Sequence, residues 1–122
     1  MNIKELAESH RFKTRVDSDL TTIIPGKVGH IYEYDDDLMG VMVMPDPPRK
    51  QYWGFTKRTL VDAGLTLVQD GDGEGAATFN PSNESQVKAA KRAAGIRSRR
   101  IPSPEQLERL ARIRPRLAGK AG

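Results

Sequence analysis

The spacing of apolar and polar positions changes several times along the chain, and each change marks an element. Ile3, Leu6 and Ala7 fall at i, i+3 and i+4, the pattern of a short amphipathic helix over residues 2–9. Residues 11–16 then alternate: Phe12, Thr14 and Val16 face one way, Arg11, Lys13 and Arg15 the other, as in a half-buried strand. Asp17-Ser18-Asp19 is turn chemistry, and the β-branched run over residues 20–24 stops at Pro25-Gly26. Two apolar runs, residues 28–34 and 38–44, flank the tip Asp35-Asp36-Asp37 and predict a hairpin whose second strand is buried on both faces.

Pro45, Pro47 and Pro48 forbid continuation of that strand. Beyond them Trp53, Thr56, Leu60 and Ala63 recur every three or four residues, so the spacing predicts a helix over residues 49–63. Gly64 followed by Leu65 is a left-handed stop with its hydrophobic contact. Residues 65–68 and 76–79 bracket Asp70-Gly71-Asp72-Gly73-Glu74-Gly75, a second hairpin with an acidic loop. Asn83 and Gln86 have the spacing of a capping box for a helix running to Ala94, and Gly95-Ile96 repeats the earlier stop. Ser103, Pro104 and Gln106 open a last helix in the same way. Strands gathered ahead of helices predict an α+β fold: an antiparallel sheet of about five strands, a central helix and a basic two-helix C-terminal region.

Charge divides the chain more sharply than hydropathy does. Residues 1–80 hold 9 Lys and Arg against 13 Asp and Glu, a balance of −4; residues 81–122 hold 11 against 3, a balance of +8. The expectation is an acidic α+β body over 1–80 and a basic helical region over 81–122, with the core in the body. Lys88, Lys91 and Arg92 share one side of the helix after Asn83. Arg97, Arg99 and Arg100 crowd the connector, while Arg109 and Arg112 fall on one side of the last helix. Arginine forks match phosphate oxygens bidentately, so these eight residues are the candidate nucleic-acid contacts. The region carries no aromatic residue on which a base could stack. Expected partners are therefore nucleic acid or a nucleoprotein, without a membrane.

Catalytic chemistry finds little footing. With no cysteine and two histidines, disulfides and thiolate metal sites are excluded. No apolar run approaches the ~20 residues of a membrane span, and residues 1–6 lack a signal-peptide profile, so the expected location is the cytoplasm. The acidic loop begins like a calcium loop, but its twelfth position is Pro81 where a bidentate Glu is needed. A metal-dependent nuclease built on His30, Glu33 and Asp35 would be split, because alternation places His30 on one face of its strand and the two acids on the other. The expectation is a binding protein that uses no cofactor or metal. The Tyr52-Trp53-Gly54-Phe55 cluster, with Arg49 and Lys50 beside it, could stack bases or partner residues, but the register of Trp53 with Leu60 favours the core for the group.

The segment Ile23-Ile24-Pro25-Gly26-Lys27-Val28-Gly29-His30-Ile31-Tyr32-Glu33-Tyr34 resembles the opening hairpin of small KOW-type barrels, over about a tenth of the chain. In size and texture the chain is similar to small proteins of phages and mobile elements. That class includes anti-defence proteins such as the anti-CRISPRs, which act by blocking a nucleoprotein. A second possibility, from another class, is an inhibitor or adaptor of the anti-CRISPR kind whose acidic loops, Asp35, Asp36 and Asp37 with Asp70, Asp72 and Glu74, mimic phosphate in a host protein's basic groove. The resemblance itself assigns no functional residue.

Overall fold

The protein is described by a computed structural model over residues 2–98. Its elements run α1 (Ile3–His10), β1 (Arg15–Val16), β2 (Thr22–Pro25), β3 (Gly29–Glu33), β4 (Met39–Val43), α2 (Lys50–Asp62), β5 (Thr66–Asp70), β6 (Gly75–Phe79) and α3 (Glu84–Ala94). Every strand pairing is antiparallel, in the order β1-β2-β3-β4-β6-β5. The fold class is α+β as expected, with six strands in place of about five. The helix expected from Ser103, together with Arg99, Arg100, Arg109 and Arg112, lies outside the described residues.

The register fixes two layers. Ile24, Ile31, Val41 and Ala77 stand level across four neighbouring strands and point to one face. They form a single buried cluster with Leu6 of α1, Trp53 and Leu60 of α2, and Val87, Ala90 and Ala94 of α3. All three helices therefore cover the same face. The opposite face carries His30, Tyr32, Met42, Ala76 and Thr78. There the Tyr32 ring lies over Gly40, where any Cβ would overlap it. At the β5 edge the ladder slips between Leu67 and Gln69, a bulge that leaves Val68 exposed.

The core does not end at residue 80, where the sequence placed it. α3 contributes Val87, Ala89, Ala90, Ala93 and Ala94 to it, and Ile96 follows. An alanine stripe is weakly apolar by composition, yet small side chains let a helix lie close on a sheet. The charged outer face of α3 is thus fixed to the body.

Both glycine stops form as expected. Leu65 N–H donates to Leu60 O at 3.0 Å past Gly64, and Ile96 N–H to Lys91 O at 2.9 Å past Gly95, with φ of 97° and 70° at the glycines. Half of the Asn83 box forms: its side chain accepts from Gln86 N–H at 3.2 Å. The returning arm differs, because Gln86 Oε1 accepts from Asn80 N–H at 2.7 Å and ties the helix to the end of β6 instead.

The strand expected over residues 11–16 shrinks to Arg15–Val16. Arg11 takes a left-handed conformation (φ 61°) that closes α1, and Phe12 N–H donates to Ala7 O at 2.8 Å. The first half of the alternating run is spent on that helix stop. Its one large apolar residue, Phe12, is buried against the core.

Candidate functional site

Antiparallel register assigns each turn to an end of the sheet. The β2–β3 and β5–β6 turns lie at one end, called basal here, and the β3–β4 tip lies at the other, apical end. α3 starts after β6 at the apical end and finishes against the β2–β3 turn, where Lys27 N–H donates to Gly95 O at 3.1 Å and Val28 N–H to Ala94 O at 3.0 Å. These bonds satisfy carbonyls that a helix end leaves unpaired. They need close approach, and Gly26 permits it: a Cβ there would overlap the Ala94 carbonyl oxygen.

This junction gathers charge from separate parts of the sequence. Lys27 from the turn, Lys91 and Arg92 from the last turn of α3, and Arg97 beyond it line one shallow depression with Pro25, Gly26, Gly95 and Ile96. Lys27, Arg92 and Arg97 are exposed. Half-buried Lys91 donates to Ser98 Oγ at 2.9 Å, and its ammonium lies 5.8 Å from the centre of the Phe12 ring, a cation–π distance. Lys88 stands one turn back on the outer face of α3. Among the described residues no carboxylate lies within ion-pair distance of any of these five cations.

Of the expected basic residues, Lys91, Arg92 and Arg97 are brought to one depression, and Lys88 lies a turn back on α3, outside it. Lys27 joins them from roughly sixty residues away in sequence, and only the fold reveals it. Its sole advance signal was the Pro25-Gly26 turn that carries it.

The acidic residues are placed differently. Asp35, Asp36 and Asp37 sit exposed at the apical tip, where Asp35 Oδ1 accepts from Asp37 N–H at 2.9 Å and Leu38 N–H at 2.8 Å, shaping the turn. Asp70, Asp72 and Glu74 lie at the basal end, so the fold does not join the two loops into one acidic surface. Lys57 pairs with Asp70 at 3.1 Å and Lys50 with Asp72 at 3.3 Å. His30 and Glu33 face opposite sides as expected, and Glu33 Oε1 accepts from Ile3 N–H at 2.9 Å. Among the described residues no group of three or more His, Asp or Glu is arranged to hold a metal ion, and no helix is long and apolar enough to cross a membrane.

Asp70 also receives Trp53 Nε1–H at 2.8 Å. That bond, with the Lys57 ammonium bond after it, holds its carboxyl below the ordinary range. A carboxyl depressed in the fold adds stability that is whole above the unfolded value of about 3.9. The contribution is lost as pH falls through the lower folded value. Asp70→Asn is therefore expected to flatten the acid limb of the stability profile below about pH 4, read from urea unfolding across that range.

The aromatic cluster of α2 splits. Trp53 is 2 % exposed and belongs to the core, as its register implies; Phe55, expected in the core with it, is instead 75 % exposed, because two helical positions turn it to the other side. Tyr52 is half-buried, and its hydroxyl donates to Ala93 O at 3.1 Å, bridging α2 to α3. Tyr52, Phe55, Thr56, Thr59 and Leu60 face Ala89, Arg92 and Ala93 across a cleft of about 330 Å³. No protein-family model matches the chain, nor does any curated protein or solved structure.

Proposed function

We propose that the protein is a non-enzymatic binding protein whose basal surface contacts the phosphates of nucleic acid, alone or in a nucleoprotein. One observation carries this reading: Lys27, Lys91, Arg92 and Arg97 converge on one depression with no carboxylate partner among the described residues. Cations dispersed over a surface serve solubility; cations gathered from two segments and left unneutralised raise a local positive potential. In sequence, Arg99, Arg100, Arg109 and Arg112 extend the same charge. Arginine predominates, as suits bidentate contact with phosphate oxygens.

Binding of this kind releases counterions, so affinity falls with added salt and depends little on sequence. The test is fluorescence anisotropy of labelled DNA and RNA over a salt series. The triple variant Lys27→Gln, Arg92→Gln, Arg97→Gln is expected to reduce the slope of log K against log salt by about one for each phosphate it no longer neutralises. Its thermal unfolding should match the wild type, because these side chains are exposed. No binding by the wild-type chain at low salt overturns the reading.

A further inference from the structure

We infer that the cleft between α2 and α3 accepts an unpaired nucleobase stacked on Phe55, so that the surface prefers single strands to duplexes; this rests on the proposed phosphate contact. Phe55 is not a solitary surface hydrophobe. It forms one wall of a cleft whose floor is Tyr52, Leu60, Ala89 and Ala93, and whose opposite rim is Arg92. Arg92 also lines the basal depression, so the apolar cleft and the cationic surface share a wall. On its other side Phe55 neighbours Arg58 and also Lys50, which is paired with Asp72.

An exposed aromatic ring beside an apolar slot, with cations on both sides, complements a chain that alternates flat apolar rings with negative charge. A single strand is such a chain. Its bases present free faces to an aromatic side chain, whereas a duplex hides them in its stack. At about 330 Å³ the cleft is at the small end of ligand clefts, which run from about 300 to 1,000 Å³, and suits one ring system. Thr59 Oγ1 donates to Phe55 O at 3.2 Å within the helix, so its proton is not offered to a base. Stacking here would be tolerant of sequence, in keeping with phosphate-driven affinity.

The test compares a short labelled single strand with a duplex of equal charge, using the full chain and the variants Phe55→Leu and Phe55→Tyr. Expected is tighter single-strand binding by the wild type, a loss of roughly tenfold in Phe55→Leu, and retention in Phe55→Tyr. Duplex affinity and the salt slope should be unchanged in both variants, since no cation is removed. Equal single-strand affinity for Phe55→Leu and wild type overturns the stacking site while leaving the phosphate surface standing. Weakened binding in the triple-Gln variant but not in Phe55→Leu likewise removes the stacking site alone. Absence of any wild-type binding overturns both.

Discussion

Trp53→Ala is expected to lower the unfolding free energy by about 3–5 kcal/mol, the range for emptying a large buried aromatic site. Small domains hold only about 5–15 kcal/mol in total, so much of the population should unfold on mild heating. Three features make the site sensitive. Trp53 is among the largest fully buried side chains, it lies where α2 meets β5 and β6, and its indole packs into the space that Gly75 leaves open. Its Nε1–H also reaches outward to Asp70, anchoring the base of the β5–β6 hairpin. Trp53→Phe keeps most of the ring and loses the donor, so a smaller loss is expected together with a flattened acid limb. Urea denaturation of the two variants separates packing from the hydrogen bond; equal losses would assign the whole effect to Nε1.

The second large effect is expected at Gly26. A methyl group there would overlap the carbonyl oxygen of Ala94 and approach Ile96 Cγ1 at 2.8 Å. Both neighbours are held: one is helix backbone, and the other belongs to a core side chain. Gly26→Ala must therefore push the turn off the helix end, at the cost of about 1–3 kcal/mol for overpacking and the weakening of two backbone bonds. The same displacement carries Lys27 away from Lys91, Arg92 and Arg97. Urea unfolding should show the lost stability, and nucleic-acid anisotropy of the fraction still folded should show weakened affinity. An unchanged midpoint would mean that the turn and the helix end are not in the contact described.

Local chemistry made much of this architecture legible in advance. The stops at Gly64-Leu65 and Gly95-Ile96, the Asn83 cap and the tip at Asp35 are each written within four or five neighbouring residues. Where two local signals overlapped, the nearer constraint won. Arg11 closes α1 before the alternating run can become a strand, because its backbone is needed to end the helix. What no local pattern carries is adjacency. Lys27 belongs with Arg92 only because β2 and α3 finish, and β3 starts, at the same end of the sheet. Phe55 differs from Trp53 by two positions, but on a helix those two positions are a rotation of about 200°, enough to separate core from solvent.

The slip in register between Leu67 and Gln69 limits what the sheet can join. A strand arriving from another molecule along β5 would lose step after Leu67, with Val68 pushed outward where a bonding partner should be. At the other border β1 is only two residues long. Among the described residues neither margin offers a template long enough for edge-to-edge growth of the sheet, so close packing of many copies need not seed fibrils.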